Sequence, residues 1–384
     1  MRRRALVTVV TFGVVSLFAD MVYEGARSIL GPYLAILGAS AAVVGLASGI
    51  GEFAGYGLRA VTGIIADRTR GYWALTIGGY VLTVAAVPLL AMVDRVDLAI
   101  ALIIAERFGK AVRSPARDTL LAEAATPLGR GWGFGLHEAL DQTGAVVGPL
   151  LLAAVLTVRQ GDYRFAFATL AIPGVLALAA LFYARRSMPP AVLDPSGSRP
   201  TMAEAVPSPS SRRYLAFVFL TTAGLAPFPL LAFHLTQRQV VSDPTVPLLF
   251  AAAMAVDALA ALAAGRAYDR TGLRVLYVLP AITPLALLAF TTRSSLAWVG
   301  VIAWGVVTGI QESTLRAAVS DLVPTGRRAT AYGFVNASYG IALLAAGAGI
   351  GALYATSIPL VWAVVLVLQG GAVLAIRSTL AHRD

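Results

Sequence analysis

Twelve apolar stretches, most of them 20 residues or longer, follow one another along this chain of 384 residues with only short polar breaks between them. A helix needs about 20 apolar residues to cross a hydrocarbon core of roughly 30 Å, so each stretch reads as a membrane span. Spans are expected at 5–35, 41–65, 72–93, 97–116, 131–157 and 163–185, and after a break at 213–236, 244–267, 273–292, 295–319, 328–354 and 357–378. The expected fold class is therefore an all-α membrane protein. With 58% hydrophobic residues and a mean hydropathy of +0.77, almost no chain is left for a soluble catalytic domain.

The formal charge of +10 invites a nucleic-acid reading, but the arginines are sorted by loop rather than gathered into a patch. With the N-terminus inside, nineteen basic residues fall on the cytoplasmic side, from Arg2, Arg3 and Arg4 through Arg68, Arg185 and Arg270 to Arg377 and Arg383. Only Arg95, Arg159, Arg164, Arg238 and Arg293 fall on the other. The positive-inside rule then predicts a multi-pass protein of the cell membrane with both termini cytoplasmic, and no nucleic-acid partner. The opening Met-Arg-Arg-Arg reads as the flank of an uncleaved first helix, since the span behind it is long and carries Asp20, Glu24 and Arg27. The chain has no cysteine, which excludes disulfides and thiolate metal sites.

The spans fall into two sets of six. Residues 186–212 carry six prolines among serines and arginines and read as a cytoplasmic linker between a bundle at 1–185 and a bundle at 213–384. Gly63-Ile-Ile-Ala-Asp67-Arg68-Thr recurs 202 residues later as Gly265-Arg-Ala-Tyr-Asp269-Arg270-Thr. Glu123–Pro127 and Arg130–Gly135 align with Asp321, Pro324 and Arg328–Gly333 at a shift near 198.

On these repeats the chain resembles the major facilitator superfamily across essentially its full length. The resemblance implies a major facilitator fold of 12 transmembrane helices in two pseudo-symmetric six-helix bundles. The Gly-x-x-x-Asp-Arg loop after helix 2, repeated after helix 8, looks like the family's cytoplasmic signature, with Asp67 and Asp269 expected to cap a neighbouring helix end. The loop departs from the family pattern at Arg70 and Gly71, where the family has Gly and then Arg. Gly144-Ala-Val-Val-Gly148-Pro149 in helix 5 resembles the antiporter motif of the family's exporters. The same spacing also serves plain close packing of helices. Gly45, Gly49, Gly51 and Gly55 of helix 2 lie mid-span and read as packing glycines.

Charges inside the spans are the strongest functional signal. An ionised side chain at mid-bilayer costs about 2.5–3.5 kcal/mol even on the lenient insertion scale, so it normally faces a cavity or a partner. Helix 1 carries Asp20, Glu24 and Arg27 on one stripe, with Ser16 and Tyr23 beside it. Helix 4 carries Glu106, Arg107, Lys110, Arg113 and Arg117, and Lys110 is the only lysine in the chain. Helix 5 presents His137, Glu138 and Asp141. The second half has only His234, Asp257, Glu312 and Arg316, and at a shift of 198 Glu138 and Asp141 meet Asn336 and Tyr339.

That asymmetry suits proton coupling in one half and substrate shape in the other. Asp20, Glu24, Arg27, Glu106, Lys110, Glu138 and Asp141 are the expected coupling set. Resemblance to the family's cavity-lining helices 1, 4, 7 and 10 implies substrate contacts at Tyr23, Arg107, Arg113, His234, Gln311, Glu312 and Arg316, with His137 joining them from helix 5. The expected function is proton-coupled antiport that exports a small amphiphilic compound by alternating access, from a monomer needing no cofactor. Three alternatives stand beside it. A positive well of Arg107, Lys110, Arg113 and Arg316 suits an organic anion, Glu24-Gly-Ala-Arg27 is similar to a pattern of lipid-moving members, and a membrane sensor would show no flux at all. No nucleophile elbow, HExxH motif, P-loop or paired metal-ligand set marks the chain as an enzyme.

Overall fold

In lipid every backbone N–H and C=O must be satisfied within the segment, which leaves the helix as the default for an apolar chain. The computed structural model describes residues 2–187, 209–322 and 328–381, and these are almost entirely helical with no strand among them. Most of the expected linker, the Pro324–Arg327 segment and the side chains of Arg316 and Asp321 lie outside the described residues.

The helices in chain order are α1 (Arg2–Ile36), α2 (Ala41–Gly57), α3 (Arg59–Thr69), α4 (Tyr72–Leu89), α5 (Val96–Ala125), α6 (Arg130–Val158), α7 (Tyr163–Thr169) and α8 (Ala171–Ser187). Then follow α9 (Pro209–Ala223), α10 (Phe228–Gln237), α11 (Thr245–Thr271), α12 (Val278–Ile282), α13 (Ser294–Leu322), α14 (Arg328–Thr356) and α15 (Ile358–Leu380). Ten described stretches are long and apolar enough to cross a membrane, the longest being Thr245–Phe290, which covers two expected spans. Helix α5, at 30 residues, is about 45 Å long; its charges exclude it from that apolar set.

Some expected spans are broken. The 213–236 span divides into α9 and α10, because Pro227 and Pro229 cannot donate to the ladder. The released carbonyls find other donors: Trp304 Nε1 bonds Ala226 O at 2.9 Å, and Gln369 Nε2 bonds Thr221 O at 3.3 Å. The 273–292 span is a short helix, α12, between stretches of 3₁₀ turns.

The described residues form two compact units. One falls within 1–38, 58–195 and 243–251, the other within 39–57, 196–242 and 252–384. The units cut across the chain halves, since α2 packs with α14 in the second unit.

In the first unit α1 lies along α6. A Cβ at Gly144 would overlap the Leu17 carbonyl and one at Gly148 the Met21 carbonyl, so only glycine permits that approach. A second core there joins Val9 and Phe12 of α1 to Tyr72 of α4 and Leu120, Leu121 and Ala125 of α5. In the second unit Gly45 and Gly49 of α2 meet Gly347 and Leu344 of α14 backbone to backbone. These two glycines of helix 2 are packing residues, as their mid-span position suggests.

Candidate functional site

In the first unit the polar stripes of α1, α5 and α6 come together. Asp20, Glu24, Glu106, Arg107, Arg113 and His137 are all buried, Arg113 to 1% exposure. Helix α5 reaches this depth because it crosses α4 at Gly79 and Gly109, where an added Cβ would meet the partner backbone at 2.6–2.7 Å.

The cations are held by rings as much as by acids. Lys110 Nζ lies 3.5 Å from the Tyr23 ring centroid and the Arg107 guanidinium 4.2 Å from it, while Arg113 sits 4.1 Å over Tyr80. Cation–π contact is worth about 2 kcal/mol or more when desolvated, so the rings contribute to holding these buried cations. The acids have mixed roles. Glu24 Oε2 accepts from Arg27 Nη1 at 3.5 Å, and Glu106 Oε2 lies 3.4 Å from Arg107 Nε. Asp20 is within electrostatic range of Asp141, Lys110, Glu24 and Arg113. Asp141 is in turn within range of Arg117, His137, Lys110 and Arg113.

Two residues outside the expected set complete this cluster. Arg117 Nη1 donates to Ser16 Oγ at 3.2 Å, and Ser16 Oγ lies 2.9 Å from His137 Nε2. Arg117 also bridges Asp118 at 2.8 Å. Glu138 differs in burial: it is exposed, and it accepts from Gln142 Nε2 at 3.4 Å. Beside the cluster a small cavity is walled by Tyr23, Arg27, Glu106 and Arg107 with apolar Leu30 and Ile103.

The second unit holds a different arrangement. A small cavity is lined by Tyr56, Gln311, Glu312, Asn336 and Tyr339 over Leu315 and Val335. The Tyr56 and Tyr339 rings meet edge to face at 5.0 Å, and the Tyr339 hydroxyl donates to Gln311 Oε1 at 3.3 Å. Gln311 is 1% exposed and its Nε2 has no hydrogen-bond partner.

His234 does not line this cavity. It is fully buried, accepts from the Tyr354 hydroxyl at Nδ1 (2.8 Å) and donates from Nε2 to Thr291 O (3.2 Å), beside Phe290. With both ring nitrogens engaged, it clasps α10 to the neighbouring elements.

A sequence profile of the Major Facilitator Superfamily matches residues 12–347. The chain belongs to that superfamily. It is 49% identical over 371 residues to the uncharacterized protein Rv2265 of Mycobacterium tuberculosis, covering 94% of this chain and 90% of that one. It is 25% identical over 357 residues to the uncharacterized MFS-type transporter MJ1317 of Methanocaldococcus jannaschii, covering 90% and 88%. Among solved structures it resembles the POT family transporter PepTSo (TM-score 0.74, 14% identity, 98% and 97% covered) and the nucleoside transporter NupG (TM-score 0.72, 14% identity, 97% and 98% covered). At such identities these likenesses show the fold alone. The protein is a multi-pass membrane transporter with a major facilitator fold.

The superfamily's signature loop is visible in outline. Asp67, near the end of α3, accepts from the hydroxyl of Tyr72, the first residue of α4, at 3.0 Å. Gly71 at the N-cap of α4 has no side-chain capping bond, so Asp67 ties the loop through a phenol rather than through the helix-end amides. Arg68 is exposed and Arg70 takes the left-handed conformation (φ 52°) that ends α3; Gly63 faces Pro115 of α5. Asp269 and Arg270 are exposed near the end of α11, and the turn after it uses Gly272 at φ 58°. Gly144 and Gly148 serve close packing of α1 on α6, with Pro149 inside an unbroken α6.

Sequence reasoning did not assign Tyr80, Tyr56, Asn336 and Tyr339 to the site. The last two were in view as the repeat partners of Glu138 and Asp141, and were read as lost charge. Their amide and phenol are what line the second cavity.

Proposed function

We propose that this transporter is a proton-coupled antiporter of the cell membrane that exports a small amphiphilic compound, working as a monomer with both termini cytoplasmic. In this reading a bundle at 1–185 and a bundle at 213–384, joined by the 186–212 linker, rock about a midplane site. The observation that carries it is the buried position of Asp20, facing Asp141, Lys110 and Arg113 where lipid or water would otherwise be.

Burial disfavours a charged carboxylate and a nearby cation favours it, so an acid whose cation can withdraw takes up a proton and gives it back when the cation returns. Lys110 and Arg107, held on the face of Tyr23, have that alternative resting place. Asp20 is the proton carrier in this scheme and Asp141 its partner. Glu24 with Arg27, and Glu106 with Arg107, hold the cavity wall. The exposed Glu138 falls outside the coupling set.

The test is efflux of amphiphilic dyes, ethidium among them, from reconstituted vesicles with and without an imposed proton gradient. Wild type responds to the gradient, and Asp20→Asn runs at the same rate with or without it. Gradient-driven flux preserved in Asp20→Asn removes that residue from the mechanism.

One observation favours an organic anion as cargo instead. Arg113 Nε and Nη1 are buried with no hydrogen-bond partner. Gradient-driven flux of carboxyfluorescein but not of ethidium would select that reading.

A further inference from the structure

We infer that His137 is a proton relay, which takes the proton from Asp141 and releases it toward the cytoplasmic ends of α1 and α6, rather than a substrate contact. The inference deepens the proton-coupled reading, on which it rests, by adding the step that follows release from Asp20 and Asp141.

The hydrogen bonds around Ser16 fix the resting form of the ring. Arg117 Nη1 donates to Ser16 Oγ at 3.2 Å, and a guanidinium can only donate. Ser16 is fully buried, and its other hydrogen bond among the described residues is the 2.9 Å contact with His137 Nε2. A hydroxyl carries one hydrogen, and leaving it idle in a buried site is costly, so Ser16 accepts from Arg117 and donates to Nε2. His137 is thereby neutral, with its own hydrogen on Nδ1 and a lone pair at Nε2. The ring is a base held ready, and it is buried at 3% exposure.

A proton source lies one turn away. His137 and Asp141 are four residues apart on α6 and share a face. Asp141 Oδ1 is buried without a hydrogen-bond partner. The charges facing the ring are balanced: Arg117 and Arg113 of α5 resist an imidazolium, Asp118 of α5 and Asp141 favour it, and α1 brings the uncharged Ser16. The ring therefore accepts a proton as Asp141 gives one up and becomes a carboxylate. The proton lands on Nε2 and Ser16 turns from donor to acceptor; loss of that proton to water restores the neutral ring and the first hydrogen bond. Position supplies the direction. With both termini cytoplasmic, His137 is one turn nearer the start of α6 than Asp141, and Ser16 one turn nearer the start of α1 than Asp20, so the step runs inward.

Two measurements test the relay. The resting tautomer is read by nitrogen NMR of the full chain, isotope-labelled at its three histidines and held in nanodiscs at neutral pH. His137 is expected to carry its hydrogen on Nδ1, whereas His234, which donates to Thr291 O, carries it on Nε2. The His137 signal is the one that survives in both His234→Gln and His382→Gln. Protonation of Nε2 at His137 overturns the assignment.

The transfer itself is read by ethidium efflux from vesicles under an imposed gradient and, separately, by ethidium counterflow at equal pH, which moves no net proton. His137→Gln keeps an acceptor for Ser16 and cannot take up a proton. It is expected to lower gradient-driven flux roughly tenfold or more, and counterflow far less. Equal loss of both marks a merely structural residue and overturns the relay. Should His137→Gln fail to fold, the tautomer of the wild-type ring still decides. A wild type indifferent to the gradient sinks the proton-coupled reading and the relay with it, whereas a full gradient response surviving in His137→Gln sinks the relay alone.

Discussion

The two compact units handle buried polarity in opposite ways. The first packs at least ten ionisable side chains of α1, α5 and α6 against one another and against tyrosine rings. The second, at the repeat-related positions, replaces acids with Asn336 and Tyr339 and builds its cavity from carboxamide, phenol and one carboxylate. A network of charges is costly to break, because removing one member leaves its partner buried and uncompensated. Removing an uncharged group such as the Tyr339 hydroxyl loses only a hydrogen bond. The first unit is thus built around buried charge and the second mainly around uncharged polar groups.

The largest expected effect follows directly. Asp141→Leu removes an acid that faces Arg117, Lys110 and Arg113, and is expected to cost about 3–5 kcal/mol. At the related position, Tyr339→Phe keeps the ring and loses the bond to Gln311, a cost of about 1 kcal/mol. Denaturant unfolding of both purified variants in one detergent measures the gap. Equal losses would mean that the charged cluster is no more cooperative than the neutral cavity.

Next in size is a contrast the units are expected not to show. Gly144→Ala places a methyl group against the Leu17 carbonyl in the first unit, and Gly347→Ala places one against Gly45 in the second. Each is expected to destabilise by about 1–3 kcal/mol, the range for overpacking a tight seam. Gly78→Ala, where nothing lies within 4 Å, is the control and changes stability by under about 1 kcal/mol in the favourable direction. Melting temperatures of the three proteins decide it. A harmless Gly144→Ala would return that motif to a role other than packing.

What the chain discloses by its sequence is mostly what hydropathy and spacing control. A run of 20 apolar residues leaves few options, so the spans at 5–35, 131–157 and 357–378 differ from α1, α6 and α15 by only a few residues at their ends. The broken span at α9 and α10 is announced by Pro227 and Pro229. The break at Leu58 carries no proline, and Gly57, where α2 ends, is one of several glycines in that span and so does not single out the position. Helix α5 runs nine residues past its expected end, because Arg117 and Asp118 look like a loop to a hydropathy window. Both lie within α5, where their side chains pair with each other and Arg117 also bonds Ser16.

The site was legible as an inventory of buried charges and illegible as a set of partners. Which ring faces Lys110, or which amide Tyr339 orients, depends on contacts between helices far apart in sequence. Periodicity along one helix cannot rank them.

The smallest expected effect is at Glu138, and it tests whether burial or mere membership in a charged stripe selects the coupling residues. Glu138 sits one residue after the buried His137 and three before Asp141, yet it is exposed and bonded to Gln142 four residues on. Glu138→Gln keeps the size and the capacity to accept that bond. Its effect on stability is expected to be within about 0.5 kcal/mol, as for surface substitutions away from special features. Gradient-driven dye flux should match wild type, because burial supplies little desolvation at an exposed acid to trade against a cation. If Glu138→Gln lost the gradient response while Asp20→Asn retained it, the proton path would follow the exposed face of α6, and the division between the charge-rich first unit and the charge-poor second would have to be redrawn around exposure.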